Sequence, residues 1–222
     1  MIISLAAYCA GIVTNDIADY REDLRDRPTR PLPSGAVSRG AALALALFFI
    51  AIAVAVAALV SATLLTCTAI LLAAILFYNL VGKRIVFIAP LSMGLCRGLS
   101  VLVGMVAVSI SRPSWISMNV YPKGAPGHSA FSYHIDIPFD PSGIVLLPVA
   151  VIAMYIAAVS ALARNETSSP RIPRLIGVLI RGLLLIQAAF CALAGGCGWL
   201  AAILLLALWP VSRLLARRYY AS

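Results

Sequence analysis

The sequence predicts an all-α protein, a polytopic membrane bundle of about seven transmembrane helices with a cytoplasmic C-terminus. Three observations carry this prediction. Of 222 residues, 62% are hydrophobic and 11% charged, and the mean hydropathy is +1.00, whereas soluble domains run near half apolar and about a quarter charged. The apolar residues fall in runs close to the ~20 needed to cross a hydrocarbon core, where a single segment satisfies its own backbone only as a helix. Finally, Lys and Arg alternate between connections. Residues 20–39, 82–85, 164–174 and 213–222 carry thirteen of them, while residues 111–142 carry two, Arg112 and Lys123. That bias places the first set in the cytoplasm. The net charge of +9 follows from this topology and from contact with anionic lipid, with no need for nucleic acid.

In chain order the spans are 2–19, 40–60, 62–81, 86–110, 143–163, 174–194 and 199–215. The first starts directly after Met1, without the basic start or small-residue cleavage site of a signal peptide. The second and third are nearly continuous around Ser61 to Thr63, which predicts a tight helical hairpin. The fourth and sixth each hold a lone arginine, Arg97 and Arg181. Between the fourth and fifth, residues 111–142 form the predicted external loop; its His128, His134, Asp136 and Asp140 lack metal-ligand spacing and read as solvated. Gly195, Gly196 and Gly198 predict a turn before the last span. No linker or repeat divides the chain, so residues 1–222 read as one domain. The five cysteines have no CxxC spacing and read as small apolar packing residues.

The chemistry concentrates in "NDIADYREDLRDRPTRPLPSG", residues 15–35, which holds five of the eight acidic residues. On a helix Asp16, Asp19 and Asp23 are spaced i, i+3, i+7 and share one face. Carboxylates ~6 Å apart repel by roughly 3 kcal/mol per pair at an effective dielectric near 20. A divalent cation relieves that repulsion. Hard ions such as Mg²⁺ bind through one or two carboxylates and fill the remaining positions with water and substrate phosphate. Asn15 adds a neutral donor, and Pro28, Pro31 and Pro33 stop the helix and stiffen its return. Local pairing of Asp with Arg in a polar loop is the alternative, but these carboxylates begin before the apolar run ends, where ionisable groups are costly.

The pattern N-D-x-x-D-x-x-x-D followed by R-P-L-P-S-G, from Asn15 to Gly35, resembles the first signature of the UbiA-type intramembrane prenyltransferases. "YNLVGKR", residues 78–84, resembles that family's Tyr-Lys element. The resemblance implies a bundle of about nine helices around a lipid-open cavity, with Asp16, Asp19 and Asp23 as the catalytic, Mg²⁺-holding set. The implied partners are a prenyl diphosphate, an aromatic or other lipophilic acceptor, and the lipids of a cell membrane, in a bacterium the inner one. Asn15, Arg27, Arg30, Tyr78, Lys83 and Arg84 are the implied substrate contacts beside the metal. Lys83 and Arg84 suit either a diphosphate or simple positive-inside anchoring.

Arg97 and Arg181 lie inside spans and should face the interior and an anion. Arg181 is assigned to the substrate head, whereas Arg97 lies deeper and serves substrate or structure. Tyr8, Tyr20, Phe77, Tyr78 and Tyr155 are candidates to offer ring faces to a carbocation, against the commoner role of aromatic residues inside spans, which is packing. Two departures from the family pattern stand out. Its second acidic motif, DxxxD, falls here on "ALARNETSSP", where Glu166 is the one acid. The motif-bearing helix also comes first rather than second, which implies a missing N-terminal span or completion of the cavity by a partner subunit. The lost motif keeps open a non-catalytic role, binding or moving an isoprenoid or hydrophobic metabolite for a partner enzyme.

Overall fold

The computed structural model describes residues 2–111, 146–164, 172–193 and 198–219. Most of the predicted external loop, Glu166, and the Gly195–Gly196 turn lie outside these residues. Within them the chain is helical: α1 (Ile2–Ala18), α2 (Tyr20–Asp26), α3 (Arg39–Val60), α4 (Ala62–Leu80), a 3₁₀ turn (Gly82–Arg84), α5 (Ile88–Ser111), α6 (Leu146–Ala163), α7 (Ile172–Leu193) and α8 (Gly198–Tyr219). Five of these, α3 to α7, are long and apolar enough to cross a membrane, and the bent pair α1–α2 makes a sixth. In α8 the apolar stretch Ala202–Val211 is shorter, and Pro210 falls inside the helix. The protein is a multi-pass helical bundle of the predicted class.

The helix order follows from small residues and caps. Ala42, Ala46, Ala53 and Ala57 form the buried stripe of α3, while Ile3, Ala6, Ala7 and Ala10 are buried on α1. The two helices pack together, because the alanines on both let backbones approach closely in lipid, where apolar burial alone gives no drive. Ser61 closes α3 and opens α4, its Oγ accepting from Leu64 N–H at 3.1 Å. The hairpin read from the sequence is therefore a one-residue corner. Thr68 sits fully buried on α4 and donates to the Leu64 carbonyl at 2.8 Å, so its hydroxyl costs little in the core.

Beyond this hairpin the bundle continues by neighbour contacts, α4 to α5, α5 to α6, α6 to α7 and α7 to α8. The α5–α6 seam is closest at Gly94 and Gly98, where an added Cβ would lie 2.3 Å and 3.0 Å from the carbonyl oxygens of Ala153 and Val149. Tyr155 on α6 donates from its hydroxyl to the Leu179 carbonyl of α7 at 2.5 Å. Its role is thus to join helices, and the ring-face role considered for it has no support in this placement.

One local expectation changes. The spacing of Asp16, Asp19 and Asp23 predicts a common stripe on one helix, yet α1 and α2 meet at Asp19 with a 65° bend. Asp19 leaves helical geometry at φ −89°, ψ 0°, the sparsely allowed bridge region. Its carbonyl then accepts from Glu22 and Asp23 N–H at 2.9 and 2.8 Å and starts a second helix. Helix α2 ends at Arg27 because Pro28 disfavours helical backbone before it. The return to α3 needs a left-handed residue, and Gly35 supplies it with φ 78°.

Candidate functional site

The bend spreads the three aspartates and gives each its own surroundings. Asn15 donates from Nδ2 to Asp19 Oδ2 at 3.0 Å. Lys83 Nζ donates to Asn15 Oδ1 at 2.9 Å and forms a short ion pair with Asp19 Oδ1. Both members are largely sheltered, with side chains 16% and 23% exposed. This pairing brings the 3₁₀ turn onto the end of α1, across 64 residues of sequence.

Asp23 is nearly covered, and Arg30 Nη1 donates to its Oδ2 at 2.8 Å. The same Nη1 stands 3.8 Å from Asp16 Oδ1. The proline-rich return makes this contact by folding Arg30 back over α2, with Ser34 N–H bonded to the Arg30 carbonyl at 2.9 Å. The Asp23 hydrogen bond, partly opposed by desolvation and reinforced by the charges of Asp23, Asp16 and Asp19, holds the Arg30 guanidinium above its ordinary pKa. Asp16 is the least engaged of the three, its ion-pair contact being the long one to Arg30.

Asn15 and Asp16 also line a cavity of about 350 Å³ enclosed by α1, α4 and α5. Most of its wall is apolar, including Ala7, Ile12, Leu71 and Ile75. Tyr78 lies beside the polar end, and Tyr8 and Arg97 lie deeper. The Arg97 guanidinium sits 5.6 Å above the centroid of the Tyr8 ring. Among the described residues Arg97 has no carboxylate within ion-pair distance. Tyr8 precedes Asp16 by eight residues on α1, so the arginine lies ~12 Å below the carboxylates at 1.5 Å rise per residue.

The remaining predicted residues separate. Arg84 lines a different concavity with Arg21 and Arg39. Arg181 does not line the cavity of Asp16; its guanidinium lies alongside Gly177 of its own helix. Arg27 is exposed, and its N–H caps α2 at the Asp23 carbonyl, 2.9 Å away. Phe77 is exposed on α4, and the Tyr20 ring lies under Arg39 at 3.6 Å.

Two residues that position the site escape the sequence reading. Asn79, 3% exposed, donates to the Gly11 carbonyl at 2.9 Å and to Thr14 Oγ1 at 2.7 Å, tying α4 to the motif-bearing helix. Its signal was available, since an amide inside an apolar span needs a partner. Arg164, at the end of α6, donates to the carbonyls of Ile85 (3.4 Å) and Val86, which follow the turn bearing Lys83. Nothing in its loop position announces that role.

Among the described residues no three His, Cys, Asp or Glu side chains converge on one point. The donor set is nevertheless all oxygen and incomplete. Asp16 and the Asn15 amide at the mouth of the cavity, with Asp19 bonded to Asn15, supply one or two carboxylates, a donor set of the kind that suits Mg²⁺ completed by phosphate.

The described residues thus form a polytopic helical bundle with Asn15 and Asp16 at the polar end of a mostly apolar cavity. The chain belongs to the UbiA prenyltransferase family, whose model matches residues 1–221. A 44-residue stretch is 54% identical to digeranylgeranylglyceryl phosphate synthase of Methanoregula boonei. That stretch is 20% of this chain and spans 16% of the relative's length. No solved structure matches the chain.

Proposed function

We propose that this protein is an Mg²⁺-dependent membrane prenyltransferase that moves an isoprenyl group from a prenyl diphosphate to a lipophilic acceptor. The observation that carries the reading is that Asn15, which with Asp16 lines the polar end of an apolar cavity, is hydrogen-bonded to both Asp19 and Lys83. Family membership and the synthase named above support it. Asp16 and Asp19, with Asn15, would hold the ion, which when bound neutralises charge on the phosphate oxygens. Asp23, buried against Arg30, serves this arrangement by fixing the arginine beside Asp16.

Lys83 and Arg30 hold the carboxylates in the meantime and are the cations nearest the proposed diphosphate. As the donor's C–O bond breaks, its electron pair leaves on the diphosphate, and charge-assisted hydrogen bonds from these two side chains stabilise that departure. The apolar wall keeps water from the allylic carbon, and Tyr78, lining the cavity beside its polar end, is the aromatic side chain nearest to where positive charge would develop. The acceptor bonds to that carbon and loses a proton to the released diphosphate or to solvent water, which leaves prenylated acceptor and pyrophosphate as products. Arg97, deeper in the same cavity, would hold an anionic head group on the acceptor, a class that fits the lipid phosphate in the relative's name.

The reading is tested by release of pyrophosphate when protein in lipid nanodiscs meets a prenyl diphosphate and a panel of lipophilic acceptors. Acceptor-dependent, EDTA-sensitive release is expected. A second reading, a binder that delivers an isoprenoid to a partner enzyme, draws on the ion pairing of the carboxylates by Lys83 and Arg30. Tight binding of the donor without release under any acceptor would favour it.

Lys83→Gln separates the two jobs of this side chain. Removing the ammonium frees Asp19, so Mg²⁺ alone binds more tightly. A diphosphate analogue loses a charge-assisted contact and binds about tenfold more weakly. Titration calorimetry of each ligand alone reads both effects.

A further inference from the structure

The bend at Asp19 also shapes a second concavity of about 340 Å³, which shares no lining residue with the first. Arg21 from α2, Arg39 from the start of α3 and Arg84 from the 3₁₀ turn converge on it, and no acidic side chain lines it. Among the described residues none of these arginines has a carboxylate within ion-pair distance. Arg39 is held over the Tyr20 ring at 3.6 Å, an orientation that fixes one guanidinium without neutralising it. Three like charges around one hollow repel, and Arg39 stands in the first turn of α3, where the helix dipole already favours negative charge. An anion relieves both conflicts at once.

The remainder of the wall is apolar, with Ile17, Ala18 and Leu32. The hollow sits where α1 ends and α3 begins, at the boundary between the apolar spans and the charged segment. A free anion has no use for an apolar wall, whereas a phosphate carrying a glycerol and acyl chains does. We propose that the Arg21–Arg39–Arg84 hollow binds the phosphate of an anionic phospholipid from the surrounding leaflet. Basic pockets at helix ends on the positive side of a membrane protein are suited to such headgroups. The proposal does not depend on the transferase reading. It has a structural consequence for that site, because adjacent residues of one turn face the two places, Lys83 the acidic cluster and Arg84 the lipid phosphate.

The test uses the full chain in nanodiscs of phosphatidylcholine with and without phosphatidylglycerol, and in detergent with inorganic phosphate. Retained lipid is counted by native mass spectrometry and the unfolding midpoint is followed by heating. Wild type is expected to retain phosphatidylglycerol over phosphatidylcholine and to unfold later in its presence. Arg39→Gln and Arg84→Gln should each weaken that retention roughly fivefold. Arg25→Gln, which removes an exposed arginine paired with Asp26, should leave it unchanged. Equal retention of both lipids by wild type overturns the proposal, as does an equal loss in Arg25→Gln, since charge alone would then explain the preference. Full protection by inorganic phosphate overturns the lipid source in favour of a free anion. Should one variant fail to fold in phosphatidylcholine, Arg21→Gln makes the same comparison.

Discussion

Asp16→Asn and Asp19→Asn are each expected to abolish the proposed Mg²⁺-dependent binding of a prenyl diphosphate analogue and to lower turnover about 100- to 1,000-fold. That magnitude is the usual cost of removing one preorganised electrostatic contact to a departing anion. The two variants differ in their side effects. Asp16 makes only a 3.8 Å approach to Arg30 and its side chain is 43% exposed, so its loss leaves the fold almost untouched. Asp19 is paired with Lys83 and bonded by Asn15, so its loss also releases the 3₁₀ turn. Loss of binding in Asp16→Asn with an unchanged unfolding midpoint is therefore the cleaner result. Unchanged binding in that variant, measured by calorimetry in nanodiscs, would remove Asp16 from the site. Asp23→Asn is expected to act chiefly on the return loop, through the lost bond to Arg30.

Gly94→Val opens the α5–α6 seam. An added Cβ would lie 2.3 Å from the Ala153 carbonyl oxygen and 3.0 Å from the Ala157 Cβ, and the nearest of these atoms belongs to backbone that cannot rotate away. Overpacking of this kind costs about 1–3 kcal/mol, and here the two helices must separate to accommodate it. The consequence reaches the cavity, because Met93, Cys96 and Arg97 on the same helix line it. Gly104→Ala on the same helix provides the control. Nothing lies within 4 Å of the added methyl, and alanine favours helix over glycine by roughly 0.5–1 kcal/mol. Thermal unfolding in detergent should show a lower midpoint for Gly94→Val and an equal or higher one for Gly104→Ala. Equal midpoints for the two would mean that the seam is not close-packed.

The elements legible in the sequence were those set by hydrophobic length. Every predicted span has a helix within a few residues, and the Ser61 corner follows from two apolar runs that meet at a capping residue. The acidic motif and its contact with Lys83 were legible as a neighbourhood, since both lie on the same side of the membrane. The break in the aspartate stripe was hidden. It depends on one residue adopting φ −89°, ψ 0° and on the return loop bringing Arg30 back onto Asp23, neither of which a helical spacing encodes. The lone arginines illustrate a second limit. Arg97 and Arg181 look alike in composition, but the rotation of each helix about its own axis puts the first in the cavity with Tyr8 and the second beside Gly177. That rotation is set by packing at Gly94, Gly98 and Tyr155.

The most direct measurement is calorimetric titration of a non-hydrolysable prenyl diphosphate into the nanodisc-embedded protein, with Mg²⁺ and then with EDTA. Saturable binding that requires Mg²⁺ and vanishes in Asp16→Asn is the expected result. Binding of equal strength in EDTA, or in the variant, would contradict the placement of metal and diphosphate at the mouth of this cavity.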